Sequence, residues 1–173
     1  MKLKFFFLAI VVLPFFVSCS VSYKLKNNYS ADTTIETATS YDEVWNKVVD
    51  FFAVQNLAIT VLEKDSGLIA ASNVSVNPFL ITIEDKNGIP LDKSAWFVLP
   101  FIPRFASAEG TCSFNVRVQK SQDGTTIVSV NTGHFVGRRT TKGGILVLPY
   151  TDEKPVKGSS TGNFEKDLLD LFR

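Results

Sequence analysis

Residues that build metal sites are almost missing from this chain. Among its 173 residues there are one histidine, His134, and two cysteines, Cys19 and Cys112. So few nitrogen and sulfur ligands cannot form the usual four-ligand zinc site. The sequence also lacks the glycine patterns of nucleotide-binding loops and the Gly-x-Ser-x-Gly pattern of many hydrolases. We therefore expect no metal, no cofactor and no enzymatic activity.

An excess of charge of one sign is missing as well. The chain carries 18 basic and 17 acidic residues, a formal net charge of +1. Proteins that bind nucleic acid present a basic face or stripe, and polybasic segments strengthen attachment to anionic membranes. Because neither feature is present in the sequence, we expect no nucleic-acid partner and no polybasic contribution to membrane attachment.

The N-terminus is the most distinctive part of the chain. Lys2 and Lys4 precede an apolar run from Phe5 to Val17, which is shorter than the roughly 20 apolar residues needed to cross a bilayer. A charged start, a short apolar core and small residues at its end are typical of a secretory signal. The alternative, a buried helix of the folded domain, fits less well because the run is apolar on every face. We predict that residues 1–18 are a removable signal peptide.

The end of this run resembles the lipobox that the lipoprotein signal peptidase recognises. Phe16-Val17-Ser18-Cys19 has apolar residues, then a small residue, then the cysteine. The family usually has leucine at the position of Phe16, and many Bacteroidetes relax that position. The resemblance implies that Cys19 becomes the mature N-terminus, with a diacylglycerol on its sulfur and an acyl chain on its nitrogen. Each buried methylene contributes about 0.8 kcal/mol, so two or three chains anchor a protein stably.

The residues after Cys19 bear on the compartment. Ser20 stands where enteric lipoproteins of the inner membrane have aspartate, and the next positions lack the acidic residues of surface-exported Bacteroidetes lipoproteins. By this resemblance we expect the outer membrane, with the domain facing the periplasm. Residues 19–32 are expected to be the lipidated cysteine and a flexible, polar tether. Residues 33–173 are then enough for one compact domain.

The domain alternates between strand and helix signals. Ser40 and Glu43 match the capping box at the start of a helix, and Trp45 lies on the apolar stripe that follows. Gly67 supplies the left-handed position in a turn between two strands. The predicted elements are a strand at 33–39, a helix ending near 56, a hairpin over 57–72, β-structure over 73–84, a hairpin over 110–130 and a helix over about 161–172. This order predicts an α+β fold, an antiparallel sheet with two helices packed on one face.

Three segments between Thr33 and Ser72 resemble a motif of small envelope lipoprotein domains: Ser40 to Trp45, Asn56 to Ile59 and Lys64 to Ile69. Those domains include the helix-grip modules of the C lipoprotein of the barrel-assembly machinery and Bacteroidetes lipoproteins with a TATA-binding-protein-like (TBP-like) sheet. The resemblance implies a helix-grip or TBP-like fold and an envelope location, and it brings no catalytic residues. The barrel-assembly protein carries two such modules, whereas this chain has room for one.

An apolar stretch near the middle of the domain has two interpretations. Residues 95–105 are almost wholly apolar but contain two prolines. Proline removes a backbone donor and blocks pairing in a central strand, so we do not expect an ordinary buried strand along the whole stretch. It either covers the core, which we favour, or is exposed as a contact surface. In the second case Trp96, Phe97 and Phe101 are the candidate contacts with a protein partner.

Two further groups of side chains are candidates for chemistry. His134, Arg138 and Arg139 are close in sequence and suit an anion, although a solvated loop of mixed charge explains them as well. Cys112 lies in an alternating strand and is expected to be a small, buried packing residue. The alternative is a nucleophile paired with His134.

The expected function follows from the anchor more than from the domain. We expect a non-enzymatic, membrane-anchored envelope lipoprotein that acts as a protein-interaction or assembly-accessory module, with an envelope protein as its partner. One alternative is a small-ligand-binding lipoprotein that uses a pocket between helix and sheet. Another is a hydrolase that uses Cys112 and His134.

Overall fold

The computed structural model describes residues 23–101, 105–133, 135–143 and 150–173, without the side chains of 105–108, 139–143 and 150–154. The predicted signal peptide, Cys19 and His134 lie outside the described residues. Within them the chain has a mixed α+β fold in which sheet predominates.

The elements include two α-helices and two sheets. In chain order they are β1 (Thr34–Thr37), α1 (Tyr41–Val54), β2 (Val61–Glu63), β3 (Leu68–Val76), β4 (Ile81–Ile83), β5 (Phe97–Leu99), β6 (Phe105–Lys120), β7 (Thr126–Thr132), β8 (Val136–Gly143), β9 (Tyr150–Lys157), β10 (Ser159–Ser160) and α2 (Asn163–Leu169). Short 3₁₀ turns precede β4, at Pro78–Leu80, and follow α2, at Asp170–Phe172.

The first helix begins where the capping motif predicts it. The Ser40 side chain is the N-cap of α1 and accepts a 3.3 Å hydrogen bond from the backbone N–H of Glu43. The Glu43 carboxylate lies 3.0 Å from Lys47 Nζ, one turn along the helix, instead of returning to Ser40. The stripe that α1 buries consists of Val44, Trp45, Val48 and Phe52. The predicted cap and stripe are therefore confirmed, with half of the capping box formed.

The main sheet is antiparallel and organised around β6. Five strands lie in the order β1-β7-β6-β3-β2, and β8 and β9 join the sheet beside the first part of β6. At 16 residues, β6 is long enough to pair with β8 near its start and with β7 near its end. Alternate side chains of β6 and β7 are buried, which confirms the predicted hairpin with one apolar face.

The hairpin of β2 and β3 turns at Gly67, as predicted. Gly67 has φ +71°, a left-handed value that favours glycine. A Cβ added there would lie 1.8 Å from the backbone oxygen of Val118 in β6. The Val118 N–H also donates a 2.8 Å hydrogen bond to the Gly67 carbonyl. This turn therefore requires glycine both for its own conformation and for the close approach of the neighbouring strand.

The apolar stretch around Trp96 forms part of a second, smaller sheet. β5 pairs parallel with β4 and antiparallel with β10, so the molecule is not wholly antiparallel. The three residues of β5 are fully buried, and the strand ends before Pro100. Proline explains this short length because it cannot donate to the hydrogen-bond ladder. The second sheet is an addition to the predicted architecture.

Three phenylalanines join the two helices to the main sheet. Phe52 of α1 and Phe164 of α2 both contact Phe114 of β6, with ring centroids 6.4 Å and 4.4 Å away. The two helix rings are 6.4 Å from each other, and all three side chains are 0% exposed. Protein interiors are close-packed, and here side chains fill the space between the helices and β6.

The β8–β9 pair is the largest element that the sequence pattern does not predict. Both strands are rich in charged residues, β8 also contains two threonines and two glycines, and both lack the alternation that marks a half-buried strand. Tertiary pairing places them: β8 pairs with β6, where Gly110 faces Gly137, and β9 pairs with β8. Pro155 lies in β9, which pairs only with β8 among the described strands, and proline is tolerated at such an edge.

Candidate functional site

A fully buried carboxylate lies directly after β4. Glu84 is 0% exposed. Its oxygens accept hydrogen bonds from the backbone N–H of Lys26 at 2.9 Å, the backbone N–H of Asn27 at 3.3 Å and the hydroxyl of Tyr29 at 2.9 Å. A carboxylate without such donors would be very unfavourable in the interior. Glu84 therefore fastens residues 26–29, which we call the strap, to the domain.

Further contacts hold the strap on the loop that follows Glu84. Asn27 Nδ2 donates to the Gly88 carbonyl oxygen at 2.6 Å, and the Lys26 ammonium donates to the carbonyl of Lys86. Gly88 has φ +85°, and a Cβ added there would lie 2.9 Å from Lys26 Cβ. Glycine at this position thus permits both the turn and the close approach of the strap.

The strap restricts the segment that composition predicts to be a flexible tether. Tyr29 is held there too, since its hydroxyl lies within hydrogen-bond distance of both Glu84 and the Gly88 carbonyl. Burial and the adjacent Glu84 carboxylate raise the pKa of Tyr29 to about 12, because both disfavour the phenolate. The part of residues 19–32 that forms the strap is consequently bound to the domain.

The role of Glu84 has no signal in the local sequence. Thr82 and Glu84 are buried, and Ile81 and Ile83, which alternate with them, are partly buried and pack against the core. Thr82 Oγ1 accepts a 3.0 Å hydrogen bond from the backbone N–H of Asp92. Donors from other segments of the chain make the burial of these two polar side chains acceptable.

A second buried carboxylate forms one wall of a polar pocket. Glu165 of α2 is 4% exposed and accepts hydrogen bonds from the hydroxyls of Thr132 at 2.6 Å and Ser160 at 2.8 Å. The pocket has a volume of about 580 Å³, and its lining also includes Tyr29, Thr33, Asn131, Phe135 and Ser159. Hydroxyls, backbone groups and one carboxylate are suited to a small polar ligand. This pocket is the candidate ligand site, and it differs from the helix–sheet space that we expected.

The three aromatic candidates do not form one exposed surface. Trp96 is 3% exposed and Phe97 is 0% exposed, whereas Phe101 is partly exposed. The indole N–H of Trp96 donates to Asp167 at 2.8 Å, and its ring centroid lies 5.1 Å from that of Phe164. This burial agrees with the core-covering interpretation. Trp96 and Phe97 are packing residues here and offer no contact surface to a partner.

Cys112 is a free thiol and is only 2% exposed. Burial raises the pKa of this thiol to about 12, so the group is protonated at neutral pH. Because the thiolate is the nucleophilic form, this environment does not activate Cys112. The properties agree with a packing residue, and the predicted pairing with His134 lies outside the described residues.

The candidate anion contacts are described only in part. Arg138 is exposed on β8, opposite Glu109 of β6, whereas the side chain of Arg139 and all of His134 lie outside the described residues.

In the part of the chain that the structure describes, no group of His, Cys, Asp and Glu side chains forms a metal site. No helix there is long and apolar enough to span a bilayer.

Comparison with protein-family models, with curated proteins and with solved structures found no match to this chain. The resemblance carried by Ser40, Trp45 and Gly67 therefore stays a prediction. The features that bear on function are the N-terminal sequence, the strap and the pocket.

Proposed function

We propose that the protein is a non-enzymatic lipoprotein of the bacterial envelope, anchored through acylated Cys19 and acting as a protein-interaction or assembly-accessory module. We place it in the outer membrane, facing the periplasm. The lipobox-like sequence from Phe16 to Cys19 supports the anchor. The strap supports the proposal as well, because its hydrogen bonds to Glu84 fix the point at which the link from the anchor joins the domain.

This link is short compared with the domain. Cys19 and Lys26 are seven positions apart, and a fully extended chain of that length reaches no more than about 25 Å. A compact domain of residues 33–173 has a radius of gyration of about 14 Å. The anchor would therefore hold the domain at the membrane surface, where its partner is most readily another envelope protein.

We also propose that the domain is of the helix-grip or TBP-like type. Three features support this: the Ser40 cap of α1, the buried Trp45 and the left-handed Gly67. Phe114 of β6 contacts a phenylalanine from each helix. The motif is structural in the proteins that it resembles, so it favours an interaction module over a catalyst.

The anchor is tested with Cys19→Ala in the cell. We expect the wild-type protein to sediment with outer membranes and to carry two or three acyl chains on an N-terminal cysteine, measured by mass spectrometry. Cys19→Ala should lose both properties. Cys112→Ala is the matched control because it removes the other cysteine and should keep them. Unchanged sedimentation and mass of the Cys19→Ala protein would contradict the proposal.

The interaction role is tested by photo-crosslinking in intact cells. Phe79 and Val54 are the most exposed large apolar side chains among the described residues, at 88% and 80%, and exposed apolar residues are common in contact surfaces. A crosslinker at either position should give a discrete adduct with an envelope protein. The same probe at Asp123, in an exposed polar turn, is the control. Adducts at none of the positions would argue against the interaction role.

The pocket beside Glu165 favours a second candidate function, binding of a small polar ligand. Native mass spectrometry of the detergent-released full chain tests it. A ligand would appear as added mass in the wild-type protein and would be lost in Thr33→Trp, which narrows the pocket at an exposed lining residue. Equal masses after correction for the substitution would exclude a retained ligand.

A further inference from the structure

We propose that Ile89 and Leu91, in the loop beside the strap, insert into the headgroup region of the bilayer and orient the domain on the membrane. This inference rests on the proposed lipid anchor at Cys19. It adds a second point of membrane contact, made by the folded domain itself.

The two side chains are apolar and exposed at the place where the strap docks. Ile89 is 49% exposed and Leu91 is 67% exposed. Ile89 directly follows Gly88, whose carbonyl accepts a hydrogen bond from Asn27 Nδ2 of the strap. Because the strap is the end of the short link to the anchor, this loop is brought close to the membrane whenever the anchor is inserted.

The loop is well ordered by hydrogen bonds, so the apolar side chains are held outward by a defined backbone. Asp85 and Ile89 are joined twice: the Asp85 N–H donates to the Ile89 carbonyl at 2.7 Å, and the Ile89 N–H donates to Asp85 Oδ1 at 2.9 Å. The Leu91 N–H donates to the Ile83 carbonyl at 3.0 Å. A fixed pair of apolar side chains can enter an interface without first ordering the loop.

The charges around this loop suit an anionic bilayer surface. Lys26 and Lys86 are exposed there, and the Lys26 ammonium donates to the Lys86 carbonyl. Of the nearby carboxylates, that of Glu84 is buried, that of Asp85 accepts hydrogen bonds from the backbone of Asn87 and Ile89, and that of Asp92 accepts them from Ser94. Lysines beside apolar side chains are typical of surfaces that lie at the headgroup level. The fold thus gathers lysines that are separated in the sequence.

The test compares two exposed leucines in the full-length, lipidated protein. Leu91→Cys and Leu62→Cys are each labelled with an environment-sensitive fluorophore and reconstituted into vesicles of phosphatidylethanolamine and phosphatidylglycerol. Leu62 is the matched control because it is 53% exposed but lies in β2, in the other sheet. Cys112 is buried and Cys19 is acylated in the proposal, so neither should take the label.

We expect the probe at position 91 to show a blue-shifted emission and several-fold stronger quenching by headgroup-nitroxide lipid than the probe at position 62. Equal quenching at the two positions, or no quenching at position 91, would overturn this inference while the protein still floats with the vesicles. Failure of the wild-type protein to carry acyl chains would instead count against the proposed anchor. The two failures are therefore distinguishable.

Discussion

The two buried glutamates of this protein obtain their hydrogen-bond donors from different places. Glu84 is bound by backbone and hydroxyl donors of the strap, 55 to 58 positions earlier in the chain. Glu165 is bound by the hydroxyls of Thr132 and Ser160 within the domain. The same chemistry therefore has two uses. One carboxylate attaches the segment that leads to the proposed anchor, and the other joins α2 to both sheets beside a pocket.

The largest expected effect comes from removing the first carboxylate. Glu84→Ala leaves the N–H groups of the strap without their acceptor, and we expect a loss of about 2–4 kcal/mol in the free energy of unfolding, since hydrogen bonds to charged groups are strong. Urea unfolding of the full chain measures this. Trypsin should also cleave after Lys24 and Lys26 much faster than in the wild type. Glu84→Gln keeps one acceptor and should fall between the two.

A smaller effect is expected for the second carboxylate. Glu165→Ala removes the acceptor of two hydroxyl groups that can turn toward the pocket and its solvent, so we expect a loss of about 1–3 kcal/mol. Cleavage in the strap should stay at the wild-type rate. If Glu165→Ala released the strap as readily as Glu84→Ala, the division of roles between the two carboxylates would be wrong.

The substitution Tyr29→Phe tests the strap through the pH dependence of the free energy of unfolding. Loss of the hydroxyl hydrogen bond should lower stability by about 1 kcal/mol at neutral pH. The pKa of Tyr29 is raised in the folded state from its ordinary 10.0 to about 12. Its contribution is therefore complete below pH 10 and is lost as the pH rises from 10 to about 12. Urea unfolding of the two proteins at pH 8 and above pH 10 should give curves that converge, and a constant difference would refute this account.

An exposed carboxylate should give the smallest effect. Glu43 and Lys47 form a 3.0 Å ion pair, with side chains 56% and 43% exposed. Such surface pairs contribute little, and we expect Glu43→Ala to change the free energy of unfolding by no more than about 0.5 kcal/mol. A change as large as that of Glu84→Ala would show that burial is not what distinguishes these carboxylates.

The parts of the fold that sequence reasoning predicts are those with local causes. The Ser40 cap, the apolar stripe of α1 and the turn at Gly67 depend on residues a few positions apart, and each is present. The hairpin of β6 and β7 follows from simple alternation. Local propensity and the tertiary structure agree at these sites, so these elements can be predicted from the sequence.

The candidate sites depend on contacts between distant segments and were not predictable in this way. Glu84 is buried with Thr82 because the strap and the loop after β4 supply donors, which the sequence around β4 does not indicate. The pocket beside Glu165 brings together the segment after the strap, the end of β7 and the start of α2. Trp96 was ambiguous in sequence for a related reason, since the residues that cover it, Phe51 of α1 and Phe164 of α2, are distant in the chain.

Hydrogen exchange at the strap tests the central claim most directly. The backbone N–H groups of Lys26 and Asn27 donate to Glu84, whereas the Asn28 N–H has no hydrogen-bond partner among the described residues. In the full-length protein at neutral pH we predict much slower exchange at positions 26 and 27 than at 28, loss of that protection in Glu84→Ala and a partial loss in Glu84→Gln. Equally fast exchange at all three positions in the wild-type protein would contradict the claim that a buried glutamate binds this segment to the domain.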